Sequence, residues 1–268
     1  MLSTIGMMLL AVAVGVPLAM YLLQDQLIFY PQRLSEPHRT EIARRFPDVQ
    51  QIFLDSKDQV KLHAWHVKRV PGAPLIIYFG GNAEEVSWMI AETAGRAPRA
   101  SWLLTSYRGY GASGGKPSAD SISSDALQWY DYAVRELKPR QVFVLGRSLG
   151  SGAAVFLASQ RKIDSVILAA PFDSLAEVGR HHYPFLPVSL MLKHNFEPAQ
   201  LAPRISAPLL CLVATRDQII PPAHAKKLYD AWGGPKQWVA LEDAGHNTTD
   251  SHPFFWQNVE RFLQERIQ

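Results

Sequence analysis

The fold of this chain is indicated most clearly by residues 141–160, QVFVLGRSLGSGAAVFLASQ. Its first part, QVFVL, is a continuous apolar run, typical of a strand that is buried on both faces. Its last part, GAAVFLASQ, has the composition of a helix. Between them lies Gly-x-Ser-x-Gly, from Gly146 to Gly150. This motif exposes a nucleophilic serine when it forms the sharp turn between a strand and a helix. We therefore predict that Ser148 is a catalytic nucleophile.

A second copy of the same pattern lies at residues 111–115, with Ser113 at its centre. Lys116 and Pro117 follow it, which favours a loop over a helix, so we interpret Ser113 as a turn residue. Residues 109–114 also match Gly-x-Gly-x-x-Gly, but a dinucleotide-binding motif has to open a helix. We predict neither a nucleotide nor any other cofactor.

Short apolar runs alternate with helical patterns along the rest of the chain. LIIYF, VFVLG and LLCLV are continuous runs, which indicates a mostly parallel sheet with helices on both faces. The first two strands have a short connection and are expected to pair antiparallel at one edge. The predicted strands are 51–54, 62–67, 75–79, 102–105, 142–145, 165–169, 209–214 and 238–241, and the predicted helices are 84–94, 121–137, 150–161, 222–232 and 253–268.

Composition limits the classes of function. The chain has 268 residues, of which 47% are hydrophobic and 19% charged, and this fits one large folded domain. A net charge of +3 is too weak to indicate nucleic-acid binding. The single cysteine, Cys211, lies in an apolar run and is predicted to be a core residue. His181 and His182 lack suitably spaced ligand partners, so we predict no metal site.

A serine nucleophile requires a general base, and that base requires an orienting carboxylate. Active groups gather at the carboxyl ends of the strands in such sheets. His246, in the turn DAGHN after the strand QWVAL, is the predicted base. Asp217 follows the strand LLCLVA and is the predicted acid, with Asp173 after SVILAA as the second choice. Asp243 is close to His246 in sequence and is expected to shape the turn.

The oxyanion of an acyl-transfer intermediate needs two backbone N–H donors. One is expected from Leu149, directly after the nucleophile, and the other from the loop GGNA after the strand LIIYF. We assign Asn82 to this second position. The alternative interpretation of the loop is a flexible connection between a strand and a helix.

The N-terminus carries no charged side chain from Met1 to Gln24. About 20 apolar residues in a helix span the roughly 30 Å of bilayer hydrocarbon. We predict a single-pass membrane anchor over residues 1–24, with Tyr21, Phe29 and Tyr30 near the membrane interface. A cleaved signal peptide and a buried helix are the alternatives. Four arginines within residues 33–45 favour a cytoplasmic position for the domain, residues 25–268.

Six motifs, in this order along the chain, carry a resemblance to a known family: FGGNAEE, YRGYGASGGKPS, LGRSLGSGAA, APFDSL, TRDQIIPPAHA and GHN. The chain resembles the alpha/beta-hydrolase domain-containing serine hydrolases, the branch with membrane-tethered protein depalmitoylases and their bacterial relatives. The resemblance implies an α/β-hydrolase fold. It also implies that Ser148, Asp217 and His246 form the triad and that Asn82 and Leu149 form the oxyanion hole.

The chain departs from that family at two positions outside the triad. The family usually has histidine where this chain has Gly80, and aspartate where it has Ser106. These departures concern the support of the site and the rigidity of its loops.

Residues 173–205 are expected to form a lid over the site, since they interrupt the sheet pattern with an apolar and aromatic segment. The alternative is simple packing of this connection onto the core. Together with the anchor, the lid predicts a membrane-anchored serine hydrolase that cleaves ester or thioester bonds of acyl or lipid-type substrates. An amidase or peptidase with the same triad, and a non-catalytic anchored scaffold, are the alternative functions.

Overall fold

The computed structural model describes residues 2–94 and 100–267. Met1 and Gln268, the outer ends of the predicted anchor and of the last predicted helix, lie outside the described residues. Eight strands form one sheet, in the order β1-β2-β4-β3-β5-β6-β7-β8. The strands are β1 (Val49–Asp55), β2 (Lys61–Val67), β3 (Leu75–Phe79), β4 (Ser101–Ser106), β5 (Val142–Arg147), β6 (Ser165–Ala169), β7 (Leu209–Ala214) and β8 (Lys236–Leu241).

The sheet is mixed and mostly parallel. β2 pairs antiparallel with β1 and with β4, and the remaining neighbours are parallel. The predicted antiparallel hairpin at the edge is therefore confirmed. The helices are α1 (Leu2–Ile28), α2 (Glu36–Arg45), α3 (Trp88–Ala94), α4 (Ala119–Tyr132), α5 (Leu149–Gln160), α6 (Leu175–His182), α7 (Val188–Met191), α8 (Pro198–Leu201), α9 (Pro222–Ala231) and α10 (Pro253–Gln264).

Two apolar cores lie on opposite faces of the sheet. In β3, Ile77 and Phe79 belong to the core that includes α4, α5 and α9. Ile76 and Tyr78 belong to the core that includes α3 and α10. Side chains alternate between the faces of a strand, so a strand buried on both faces has to be apolar at every position. The predicted two-sided sheet is confirmed.

Two predicted helices have different bounds in the structure. The helix expected from residue 84 begins at Trp88, because the Glu84 side chain is occupied by the loop before it. The helix expected from residue 121 begins at Ala119, where Ser118 and Ser121 form a capping box. It changes to a π-helical turn over Ala133–Leu137. The sequence patterns did not predict α2 or the short lid helices.

The N-terminal helix α1 extends to Ile28, four residues beyond the predicted end of the anchor. Its segment Gly6–Ile28 is long and apolar enough to cross a membrane, and the most apolar part of that segment is not buried by the domain. The interface position predicted for Phe29 is wrong. Phe29 is buried in the domain core, edge-on to the ring of His194.

The end of α1 is docked on the lid, the segment 173–205 that contains α6, α7 and α8. Gln24 is buried, and its amide donates to the Met191 carbonyl at 3.1 Å while its oxygen accepts the Lys193 N–H at 2.7 Å. Asp25 and His194 form a hydrogen-bonded pair at 2.7 Å. Gln24 and Asp25, near the end of this apolar helix, are therefore paired with the lid.

Candidate active site

The turn between β5 and α5 presents Ser148 in a strained conformation. Its φ is 50° and its ψ is −117°, a backbone region that non-glycine residues rarely adopt. A Cβ at Gly150 would lie 2.0 Å from the Phe79 carbonyl oxygen, and one at Gly146 would lie 2.4 Å from the Gly150 carbonyl oxygen. Both glycines of the motif are therefore required by close packing, as the strand-turn-helix context predicts.

Ser148, His246 and Asp217 form one hydrogen-bonded network. His246 Nε2 lies 2.8 Å from Ser148 Oγ, and His246 Nδ1 lies 2.7 Å from Asp217 Oδ2. The other Asp217 oxygen accepts the backbone N–H groups of Ile219 and Ile220 at 2.9 and 2.7 Å. A carboxylate at Nδ1 holds the proton on that nitrogen, which leaves Nε2 free to accept the serine proton. The geometry is that of a nucleophile, a base and an orienting acid.

The second-choice acid lies in a separate pair. Asp173 Oδ1 is 2.7 Å from Nδ1 of the buried His224, and its other oxygen is 3.2 Å from the Lys227 amine. The structure brings Asp217, and not Asp173, to His246. Asp243 forms a turn with a φ of 61° and an ion pair with Arg216, as expected for a turn residue.

Ser113 is enclosed in the structure. Its side chain accepts the His63 N–H at 2.8 Å and donates to the Ser106 carbonyl at 2.9 Å. The residue has no exposed surface. These contacts join β2, the end of β4 and the loop after it, so Ser113 has the structural role that its loop context predicts.

The two predicted oxyanion residues line the same cavity as Ser148 and His246. Leu149 begins α5 directly after the nucleophile. The Asn82 side chain forms hydrogen bonds through both its nitrogen and its oxygen. Its amide N–H donates to the Ile28 carbonyl at 2.5 Å. Its oxygen accepts from the Tyr110 hydroxyl at 2.7 Å and from the Tyr30 N–H at 3.0 Å. The Asn82 side chain thus fixes the loop, and the oxyanion assignment uses the backbone N–H of this residue.

Glu84 is a supporting residue that sequence reasoning missed. Its carboxylate accepts the Gly81 N–H at 2.6 Å, the Tyr78 hydroxyl at 2.6 Å and the Trp88 indole N–H at 2.9 Å. It also pairs with Arg147 at 3.2 Å. The visible signal is an acidic residue three positions after Gly81, but its partners come together only in the folded chain.

Burial and charge act in opposite directions on Arg147. Burial lowers the pKa of its guanidinium, but the negative charge of Glu84, with contributions from Tyr78 and Asp250, outweighs burial and raises that pKa above its ordinary value. The pKa of the Tyr78 hydroxyl is raised well above its ordinary value by burial and by Glu84. Tyr78 therefore remains a neutral donor to the carboxylate.

The sequence differs from the family pattern at Gly80 and Ser106, and both residues are close to other side chains in the structure. A Cβ at Gly80 would lie 2.9 Å from Val86 and 3.0 Å from the Glu84 carboxyl group, so a larger residue here requires these side chains to shift. Ser106 Oγ lies 3.3 Å from His63 Nδ1 inside the protein. Glu84 and His63 thus contact the two positions at which the sequence differs from the pattern of the family that it resembles.

The cavity at Ser148 has a volume of about 350 Å³ and a mostly apolar wall. Ile28 and Tyr30 form its N-terminal side, and Phe172, Leu175 and Val178 belong to the lid side. Such a wall accommodates apolar substrate groups, while the few polar groups lie at the reacting end.

Comparisons with known proteins agree with this fold. A family model described as alpha/beta hydrolase fold matches residues 74–196. The uncharacterized protein Rv2307c of Mycobacterium tuberculosis is 32% identical, and the match covers 95% of this chain and 92% of that protein. The uncharacterized membrane protein YNL320W of Saccharomyces cerevisiae is 29% identical, with 90% and 91% covered. The chain belongs to the alpha/beta hydrolase fold family.

A solved structure of similar shape is the esterase Pf2001 of Pyrococcus furiosus. Its TM-score is 0.69 at 19% identity, and the match covers 90% of this chain and 98% of that one. This likeness supports the fold.

Proposed function

We propose that this protein is a membrane-anchored serine hydrolase that cleaves carboxylic ester or thioester bonds of acyl substrates. The observation that carries the proposal is the position of the His246 ring, between Ser148 Oγ at 2.8 Å and Asp217 Oδ2 at 2.7 Å. All three residues are buried, and Ser148 and His246 line an apolar cavity.

In the proposed reaction, His246 Nε2 takes the proton of Ser148 as Oγ attacks the carbonyl carbon. The backbone N–H groups of Leu149 and Asn82 receive the negative charge that develops on the carbonyl oxygen. Asp217 stabilises the imidazolium, which then gives its proton to the leaving alcohol or thiol. Water repeats the sequence on the acyl-enzyme, and the carboxylic acid is released.

Acyl substrates are favoured by the surroundings of the site. Its wall is apolar at Ile28, Phe172, Leu175 and Val178, where an acyl chain loses contact with water. The solved structure of similar shape is an esterase, which supports ester chemistry. We propose that α1 anchors the domain in the membrane as a single pass. The arginines within residues 33–45 favour the cytoplasmic side.

The test is labelling of membrane fractions with a fluorophosphonate probe, which reacts with activated serines. We expect wild type and Ser113→Ala to be labelled and Ser148→Ala to remain unlabelled, because only Ser148 lies beside His246. Absence of labelling in a folded wild-type protein would contradict the proposal. Ester, thioester and amide substrates with the same acyl group would then identify the bond that is cleaved.

A further inference from the structure

A second cavity lies between the last two turns of α1 and the lid. Its volume is about 310 Å³, and we call it the α1 groove. The residues that define it are Met20, Leu27 and Ile28 of α1 and Val178, Val188 and Met191 of the lid. One wall of this groove is therefore the helix that the proposed function treats as an anchor.

The α1 groove adjoins the cavity at Ser148. Ile28, Tyr30, Leu175 and Val178 line both spaces. These shared residues lie between the reacting groups in the Ser148 cavity and the apolar walls of the α1 groove. A chain that extends from Ser148 past them would lie between α1 and α6.

The position of α1 in this arrangement is held by hydrogen bonds. Gln24 bonds to the lid backbone at Met191 and Lys193, and Asp25 bonds to His194. Directly after the helix, the Ile28 carbonyl and the Tyr30 N–H both bond to the Asn82 side chain. The end of α1 is thus fixed both to the lid and to the proposed oxyanion loop.

The chemistry of the groove selects an apolar occupant. The Gln24 amide is occupied by backbone groups, and His182 Nε2 bonds to the Ile219 carbonyl at 2.8 Å. An extended peptide needs partners for its own N–H and C=O groups and is therefore disfavoured. From Met20 to Ile28 the helix rises about 12 Å. This length is comparable to the roughly 15 Å of hydrocarbon in one leaflet of a bilayer.

We propose that α1 is part of the substrate site and that the acyl chain of a long-chain ester or thioester lies in the α1 groove while its carbonyl is at Ser148. This inference rests on the proposed function and adds the acyl-chain class. The N-terminal helix then determines chain-length specificity, in addition to membrane attachment.

The test uses the full chain in detergent micelles, with acetyl and palmitoyl p-nitrophenyl esters as substrates. Leu27→Trp places a large ring in the groove, and Leu23→Trp makes the same change on an exposed part of α1 outside it. We expect Leu27→Trp to lower the ratio of kcat/KM for palmitoyl over acetyl ester at least tenfold. The ratio for Leu23→Trp should remain within twofold of wild type.

Met191→Trp repeats the test from the lid wall, and fluorophosphonate labelling shows which variants retain a folded site. An unchanged ratio in a labelled Leu27→Trp or Met191→Trp protein would overturn the α1 groove as the acyl site, while the proposed hydrolase activity would stand. A wild type that neither labels nor cleaves either ester would instead contradict the proposed function itself.

Discussion

Glu84 connects the proposed oxyanion loop to the turn at Ser148, the proposed nucleophile, through a single carboxylate. It accepts the Gly81 N–H from the loop and pairs with Arg147, the residue before the nucleophile. A buried carboxylate with several donors is strongly held, since removing one partner leaves a costly unpaired group. This residue therefore positions backbone groups and does not itself contact the reacting atoms.

We predict that Glu84→Gln lowers kcat about tenfold with little change in KM. The amide cannot accept all the donors that the carboxylate accepts, so the oxyanion loop loses order where charge develops in the transition state. Steady-state kinetics with a short acyl ester measure both constants. Glu85→Gln is the matched control, because Glu85 bonds to the side chain of Ser87 outside the oxyanion loop. A loss of thermal stability with unchanged kcat would contradict a positioning role.

We predict that Ser113→Ala destabilises the protein by about 1–3 kcal/mol and leaves fluorophosphonate labelling intact. The change removes the hydroxyl group that accepts a hydrogen bond from the buried backbone N–H of His63 and donates one to the Ser106 carbonyl. The two groups left behind are buried without that partner. Urea denaturation followed by tryptophan fluorescence measures the loss. A stable Ser113→Ala protein without labelling would contradict the structural role of Ser113.

The residues that we propose as catalytic could be predicted from the sequence because each one follows a strand and lies in a distinctive local motif. Ser148, Asp217 and His246 are adjacent in the structure, as this reasoning requires. The role of Glu84 is not predictable in this way. Its partners Tyr78, Trp88 and Arg147 come from three elements, and their distances depend on how the whole loop folds.

At the scale of elements, β2 carries two buried histidines. Burial lowers the pKa of both His63 and His66 to about 4, with a smaller effect from the nearby positive charges of Arg39 and Lys68. His63 Nε2 and His66 Nδ1 have no hydrogen-bond partner among the described residues. The folded state therefore holds both rings neutral, while the unfolded chain protonates them near pH 6.5.

Because the pKa values of His63 and His66 are lower in the folded state, protonation favours the unfolded chain. The stability that these residues contribute is present above pH 6.5 and is lost as the pH falls toward 4. We predict that wild type loses stability between pH 7 and pH 5, and that His66→Gln reduces this loss by about 2 kcal/mol. Urea denaturation at the two pH values measures the difference. The exposed His181→Gln should behave as wild type, and an equal loss in His66→Gln would contradict the prediction.

Burial explains which elements were predictable. β3, β6 and β7 have the predicted bounds because every residue in them is buried, and apart from Ser165 these residues are all apolar. β8 lies at the sheet edge and is mostly half-exposed. Its first two residues are polar, so the apolar pattern did not identify them as part of the strand. In α2 only Ile42 is buried, and a helix without an apolar stripe has no periodic signal.

At the scale of the whole molecule, α1 projects an apolar surface out of the domain. Leu9 and Val14 are well exposed on it, and the homologous yeast protein is named a membrane protein. Within the described part of the chain this is the one helix long and apolar enough to cross a bilayer. Such a surface is stable in a membrane and costly in water.

We predict that the protein stays in the membrane pellet after an alkaline carbonate wash and that the double variant Leu9→Arg/Val14→Arg is released. Each arginine near the centre of a spanning helix costs about 2.5–3.5 kcal/mol of insertion free energy. Leu9→Ala/Val14→Ala is the control and should stay in the pellet. Release of wild type by the wash would contradict a spanning α1.

The two walls of the α1 groove, α1 and the lid, are far apart in the sequence. The ribosome therefore makes them at different times. α1 is made first, and the lid follows about 150 residues later, which is a delay of roughly 10–30 s during translation. During this interval the groove-facing side of α1 has no protein partner. In a membrane, lipid covers that side first, and the nascent lid has to displace lipid tails to dock. With α1 in a membrane, as we propose, docking of the lid is thus an exchange of lipid for protein at the same surface that we propose binds the acyl chain.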